Sequence, residues 1–149
     1  MRNSNVTQVD LQTNYANWLN SYQWDYFCTL TTRYELTVKS ARRAGEGFYN
    51  HLNVIDNGNN PERKRCRFFW GAEPFEVKDG YHIHGLLKVH DDMWFTDIVH
   101  TWQYVTGNKL MNKAKWNRVD LQKFDPKRGA GFYCSKYILK GLSDWDLHV

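Results

Sequence analysis

Cysteine is scarce in this chain of 149 residues. Cys28, Cys66 and Cys134 are odd in number and far apart, with no C-x-x-C pair among them. That pattern excludes a disulfide framework and a thiolate zinc knuckle, and it implies a reducing, intracellular setting. No G-x-x-x-x-G-K-[ST] loop is present, so the chain carries no phosphate-loop motor. No internal repeat is visible, which excludes a solenoid or propeller. No apolar run approaches the roughly 20 residues that a membrane span needs, so no membrane partner is expected. The opening stretch MRNSNVTQVDLQTN lacks the apolar segment of a secretory signal. Charge of either sign is modest: 20 Lys and Arg against 16 Asp and Glu leave a net +4. A polyanionic partner fits that balance but is not demanded by it.

Aromatic residues, in contrast, are plentiful. Seven Trp, nine Tyr and eight Phe make up 16% of the chain, and 42% of residues are hydrophobic. That content indicates a globular chain, read as one domain over residues 1–149. Rings serve a core, and they also serve as platforms on which nucleobases stack.

The pattern along the chain predicts an α+β order. WDYFCTLTT (24–32) is aromatic and β-branched, as strands are. Leu36, Ala41, Ala44, Phe48, Leu52 and Ile55 recur at helical spacing and predict a helix over about 36–54. DNGNNPERKR is a loop ending in a basic cluster. CRFFWGAEPFEV and YHIHGLLKV read as two strands, separated by KDG, a hairpin signal. A helix with Phe95, Ile98, Val99 and Trp102 inward follows, ended by Gly107. WNRVDLQKF is a further strand, and GAGFYCSKYILKG a last helix between glycines, with Phe132, Cys134, Ser135, Ile138 and Leu139 on its core side. The expectation is a mainly antiparallel central sheet, covered by helices on one face and open on the other.

Two short patterns carry chemistry. With Asp79-Gly80 as a two-residue turn, Lys78 faces Tyr81, Phe75 faces His84 and Glu73 faces Leu86. Opposed residues share a face, so Glu73, His82 and His84 are expected on one surface, with Glu73 diagonal to His84. Two imidazoles and a carboxylate form a three-ligand divalent site with open positions. On the last helix, Tyr133, Lys136 and Tyr137 stand at i, i+3 and i+4, where a buried stripe would be Leu or Ile. A tyrosine can attack phosphorus, and an ammonium one turn away favours its phenolate.

In combination these motifs resemble the HUH endonucleases, and within them the rolling-circle replication initiators of small circular DNAs. YHIHGLL (81–87) matches the family's metal motif, FYCSK (132–136) its Tyr-x-x-Lys helix, and FCTLT (27–31) its first strand. The resemblance spans roughly residues 24–141. It implies a ferredoxin-like or RRM-like sheet with single-stranded DNA across the open face. It also implies Mn²⁺ or Mg²⁺ held by Glu73, His82 and His84, attack by Tyr133, and a 5′-phosphotyrosine intermediate. Lys136 would hold the phosphate, and Tyr137 is a second candidate nucleophile. Arg63, Lys64, Arg65, Arg67, Lys123, Lys127 and Arg128 are candidate DNA contacts. A separate helicase and a host polymerase are the implied partners. A transposase using the same chemistry, or a non-catalytic module that binds single-stranded DNA, would share these motifs.

Overall fold

The computed structural model describes residues 7–57, 66–90, 93–107, 117–140 and 144–149, with the side chain of residue 140 excepted. Arg63, Lys64 and Arg65 therefore lie outside the described residues. The elements are α1 (Gln8–Asn20), β1 (Tyr26–Thr31), α2 (Val38–Asn57), β2 (Arg67–Pro74), β3 (Tyr81–Lys88), α3 (Phe95–Thr106), β4 (Arg118–Lys123), α4 (Ala130–Lys140) and β5 (Trp145–His148). A short 3₁₀ turn over Pro126–Arg128 leads into α4. The five strands form one sheet in the order β4-β1-β3-β2-β5, with every described pairing antiparallel.

Alternation along the strands sorts side chains into two layers. Cys28, Leu30, Phe68, Trp70, Ala72, Ile83 and Leu87 point to one face, where they pack on Ala41, Ala44, Phe48 and Leu52 of α2 and on Ile98 and Trp102 of α3. The second face begins with exposed Arg118, Asp120 and Gln122 on β4, opposite Thr31, Thr29 and Phe27 of β1. It stays uncovered as far as β3. There α4 closes it, resting Cys134 and Tyr137 on Phe69 and Leu86, with Leu19 of α1 in the same cluster. The expected antiparallel sheet with an open face is thus present, and α4 forms one wall of that opening.

Three details differ from the sequence reading. The hairpin turn is longer than two residues. Pro74 has no N–H to give the ladder and ends β2, and residues 75–80 form the loop, closed by Phe75 N–H donating to the Gly80 carbonyl at 3.1 Å. Gly80 takes a φ of 102°, which only glycine adopts without strain. Glu73 consequently faces His82 rather than Leu86, and Gly71 faces His84. The slip is four residues, an even number, so every side chain keeps its predicted face.

Next, Ile55, Phe95 and Phe132 are exposed at 43%, 57% and 41%. Ile55 and Phe95 stand at helix ends, where fewer neighbours remain to cover them, and α4 buries Tyr137 in place of Phe132. Finally, α1 and β5 were not foreseen. Only Ala16 and Leu19 of α1 are buried, and Val9, Leu11, Tyr15 and Trp18 are exposed, so no apolar face stands out. Its one legible sign is the Thr7–Asp10 capping box.

Candidate active site

Residues from β2, β3 and α4 meet at the Glu73 carboxylate. Oε2 lies 3.0 Å from His84 Nε2 and 3.5 Å from His82 Nε2, and the two imidazole nitrogens are 2.7 Å apart. Tyr133 donates its hydroxyl to Oε2 at 2.6 Å, Tyr137 donates to it at 3.1 Å, and Lys136 Nζ donates to Oε1 at 2.6 Å. All six residues named by the hairpin and helix motifs are therefore brought together. The hairpin supplies the two histidines because they are two apart on one strand. The helix supplies its three side chains because i, i+3 and i+4 share a stripe.

Close approach of α4 to the sheet depends on Gly71. A Cβ there would stand 2.4 Å from the Tyr137 ring, so the missing side chain leaves room for the ring to lie on the strand. Tyr137 is 4% exposed as a result. Tyr133, one turn earlier, is half-buried. It lines a cavity on the β1–β4 side, and its ring meets Phe27 edge-on.

Thr29 was not singled out individually by sequence, although the FCTLT motif contains it. It faces His84 across the β1–β3 pair, and its Oγ1 lies 3.1 Å from His84 Nδ1. A proton shared there leaves the Nε2 lone pair directed at Glu73. His82 Nδ1 is buried without a partner among the described residues. Phe27 stacks on His84 with ring planes 5° apart, and Phe75 lies against His82 at 4.5 Å. These contacts fix both imidazoles.

The cluster's electrostatics follow from burial and crowding. Burial, then the neighbouring His82, pushes His84 down to about 4. Burial lowers His82 as well, so both rings are neutral near pH 7. Burial would raise Glu73, but hydrogen bonds from Lys136 and Tyr133 outweigh it and hold the carboxyl at about 2. Tyr133 is raised, first by burial and then by its bond to Glu73; Lys136 pulls the other way and loses. The expected bias toward phenolate is therefore absent, because the ammonium is engaged with Glu73 and lies over the Tyr133 ring, 3.7 Å from its centre. Burial also raises Tyr137, followed by the charges of Glu73 and Tyr133.

The donor set fits a divalent cation. Two neutral imidazole nitrogens and one carboxylate oxygen lie within 4.8 Å of one another, and they can share one ion at ordinary bond lengths of about 2.0–2.2 Å. Three protein ligands leave coordination positions for oxygen ligands from a substrate.

Two features flank this centre on the open face. A basic groove is lined by Thr31, Phe75, Lys78 and Arg118 on one side, and the cavity holding Tyr133 lies on the other. Arg118 and Lys78 were not anticipated as site residues. Among the residues anticipated for DNA, Lys123 and Arg128 line the cavity and Lys127 sits exposed beside it. Arg67 lies elsewhere, donating to the Tyr22 carbonyl at 2.8 Å. No helix among the described residues is long and apolar enough to cross a membrane.

Comparison with known proteins gives one match. The family model of the ORF2-type replication-associated proteins aligns with residues 25–142, most of the chain. No curated protein and no solved structure matches significantly. The aligned span includes β1, the His82–His84 strand and α4, and it leaves out α1 and β5.

Proposed function

Since the chain belongs to the family of ORF2-type replication-associated proteins, a rolling-circle group of the HUH class, we propose that it nicks single-stranded DNA at a defined site, rejoins it, and so starts rolling-circle replication. One observation supports this reading above the others. A single carboxylate, Glu73, touches both histidines of the hairpin and both tyrosines and the lysine of α4. A site that presents a cation-binding face beside a phenol is suited to transesterification at phosphorus.

Glu73, His82 and His84 hold Mn²⁺ or Mg²⁺, which when bound supplies Lewis-acid polarisation of the scissile phosphate. Tyr133 is the nucleophile. Its Oη forms a bond to phosphorus as the bond from phosphorus to the 3′ oxygen breaks, which leaves a 5′-phosphotyrosine and a 3′-hydroxyl. The phenol proton departs along the hydrogen bond already made to Glu73, and the leaving 3′ oxygen takes a proton from water. Rejoining is the same exchange in reverse. Lys136 offsets negative charge on Glu73 and on the phosphate from its place over the Tyr133 ring. Exposure favours Tyr133 over Tyr137: the first opens to the cavity, and the second is packed against Gly71 and acts by positioning Glu73. With no phosphate loop in the sequence, strand separation falls to a separate helicase and extension to a host polymerase.

The test is incubation with a pool of single-stranded oligonucleotides and Mn²⁺, followed by a denaturing gel and sequencing of the adduct. Tyr133→Phe should bind DNA and form no adduct. An adduct that persists when Tyr133 and Tyr137 are both phenylalanine would remove the mechanism.

A further inference from the structure

The cavity beside Tyr133 has no part in the chemistry above. It encloses about 380 Å³, within the range of sites that hold a small ligand. Phe27 and Phe124 give it aromatic walls. Gln122 lies on the open face of β4, and Lys123 and Arg128 stand exposed among the lining residues. Gly129, also in the lining, has nothing within 4 Å of the place a Cβ would occupy, so that side is open space. We propose that this cavity is a subsite for one nucleotide of the DNA strand, next to the scissile phosphate, with its base against the Phe27 and Phe124 rings, its edge on Gln122 and its phosphate near Lys123 and Arg128.

Position along β1 sets which nucleotide this is. Thr31, Thr29 and Phe27 are alternate residues on the open face. Thr31 lines the basic groove, Thr29 contacts His84, and Phe27 lines the cavity. A strand laid across the sheet from the groove therefore meets the cation ligands and Tyr133 first and the cavity next. The Phe27 ring is already held, stacked on His84 and edge-on to Tyr133, so a base arriving against it costs little reorganisation. A carboxamide offers a donor and an acceptor side by side, the pairing that distinguishes adenine by its N6 and N7. Gln122 thus makes the four bases unequal, and adenine is the expected preference. Lys123 and Arg128 add an electrostatic component with no sequence preference.

This inference rests on the nicking reading for its choice of strand, but it can be tested without cleavage. The four deoxynucleoside monophosphates are titrated in EDTA into isotopically labelled full-length protein, and backbone amide shifts are followed by NMR. Shifts centred on Phe124, Gly129 and Ala130 are expected, with affinity differing among the bases. Deoxyribose 5-phosphate, which lacks a base, should shift them little. Phe124→Leu should keep the fold, read from the same spectra, and weaken nucleotide binding about tenfold. Gln122→Ala should make the bases equivalent. Equal shifts from deoxyribose 5-phosphate, shifts elsewhere only, or no loss in Phe124→Leu would each overturn the subsite. Failure of the nicking reading looks different: no adduct with any oligonucleotide, while these shifts still occur.

Discussion

At the scale of single residues, Glu73 holds the site together, and its surroundings set how the protein responds to acid. In EDTA-treated protein the carboxyl sits at about 2, below its unfolded value of about 4.3. The unfolded chain then takes up the proton first, so the stability Glu73 contributes is present above pH 4.3 and is lost as pH falls toward 2. His84 acts in the same direction in a higher window. Its folded value of about 4 lies below the unfolded 6.5, so stability declines as pH falls from 6.5 to 4. Urea midpoints in EDTA should therefore drop in two stages between pH 7.5 and 3. His84→Gln should flatten the upper stage, and an unchanged upper slope in that variant would contradict the assignment. The two tyrosines should separate by assay. Tyr137→Phe removes one hydrogen bond to a charged acceptor, so it should cost roughly 1.5–3 kcal/mol in urea titration and keep adduct formation. Tyr133→Phe should lose the adduct outright.

At the scale of elements, the site depends on how closely α4 approaches β2. Gly71→Ala places a methyl where the Tyr137 ring lies, and the helix must shift to admit it. We expect a loss of roughly 1–3 kcal/mol by urea titration, together with a fall in adduct yield as Tyr133 leaves Glu73. Normal stability and yield would show that the ring has somewhere else to go. The faces of this hairpin were legible in the sequence because strand alternation has a period of two, which survives a four-residue slip; the register itself was not. Asp79-Gly80 signalled a tight turn, but Pro74 cannot donate to the ladder, and the Tyr81 N–H is taken by the Leu36 carbonyl outside it. The convergence of Tyr133, Lys136 and Tyr137 was legible from helical spacing. The preference of the Lys136 ammonium for Glu73 over the phenolate was not, because it depends on a distance between elements far apart in sequence. α1 escaped notice since most of its large side chains face solvent, yet Leu19 is fully buried against the α4 cluster. Leu19→Ala should cost about 2–5 kcal/mol and loosen the helix that carries the tyrosines.

At the scale of the whole molecule, the active strands lie inside the sheet and its two edges are protected differently. The β4 edge carries Arg118, Asp120 and Lys123, charges that discourage pairing with another chain. The opposite side is closed by β5, which has four residues and pairs with Phe68–Gly71 of β2. That strand is fastened by side chains: the Arg42 guanidinium grips the Asp144 carboxylate with two nitrogens, His148 stacks on Tyr49 at 4.5 Å, and Trp70 donates to His148 Nε2 at 3.2 Å. Removing residues 144–149 would uncover the backbone of a strand carrying Phe68, Phe69 and Trp70, an apolar edge able to recruit a second chain. The shortened chain should unfold at lower urea and form oligomers whose fraction rises with concentration, read by size-exclusion chromatography with light scattering. Arg42→Ala, which leaves the strand but frees its anchor, should fall between the two. Glu73 lies two residues beyond the last β2–β5 pair, so a frayed β2 should also weaken Mn²⁺ binding, measured by calorimetry. A shortened chain that stays monomeric, keeps its urea midpoint and binds Mn²⁺ as before would show that β5 protects nothing.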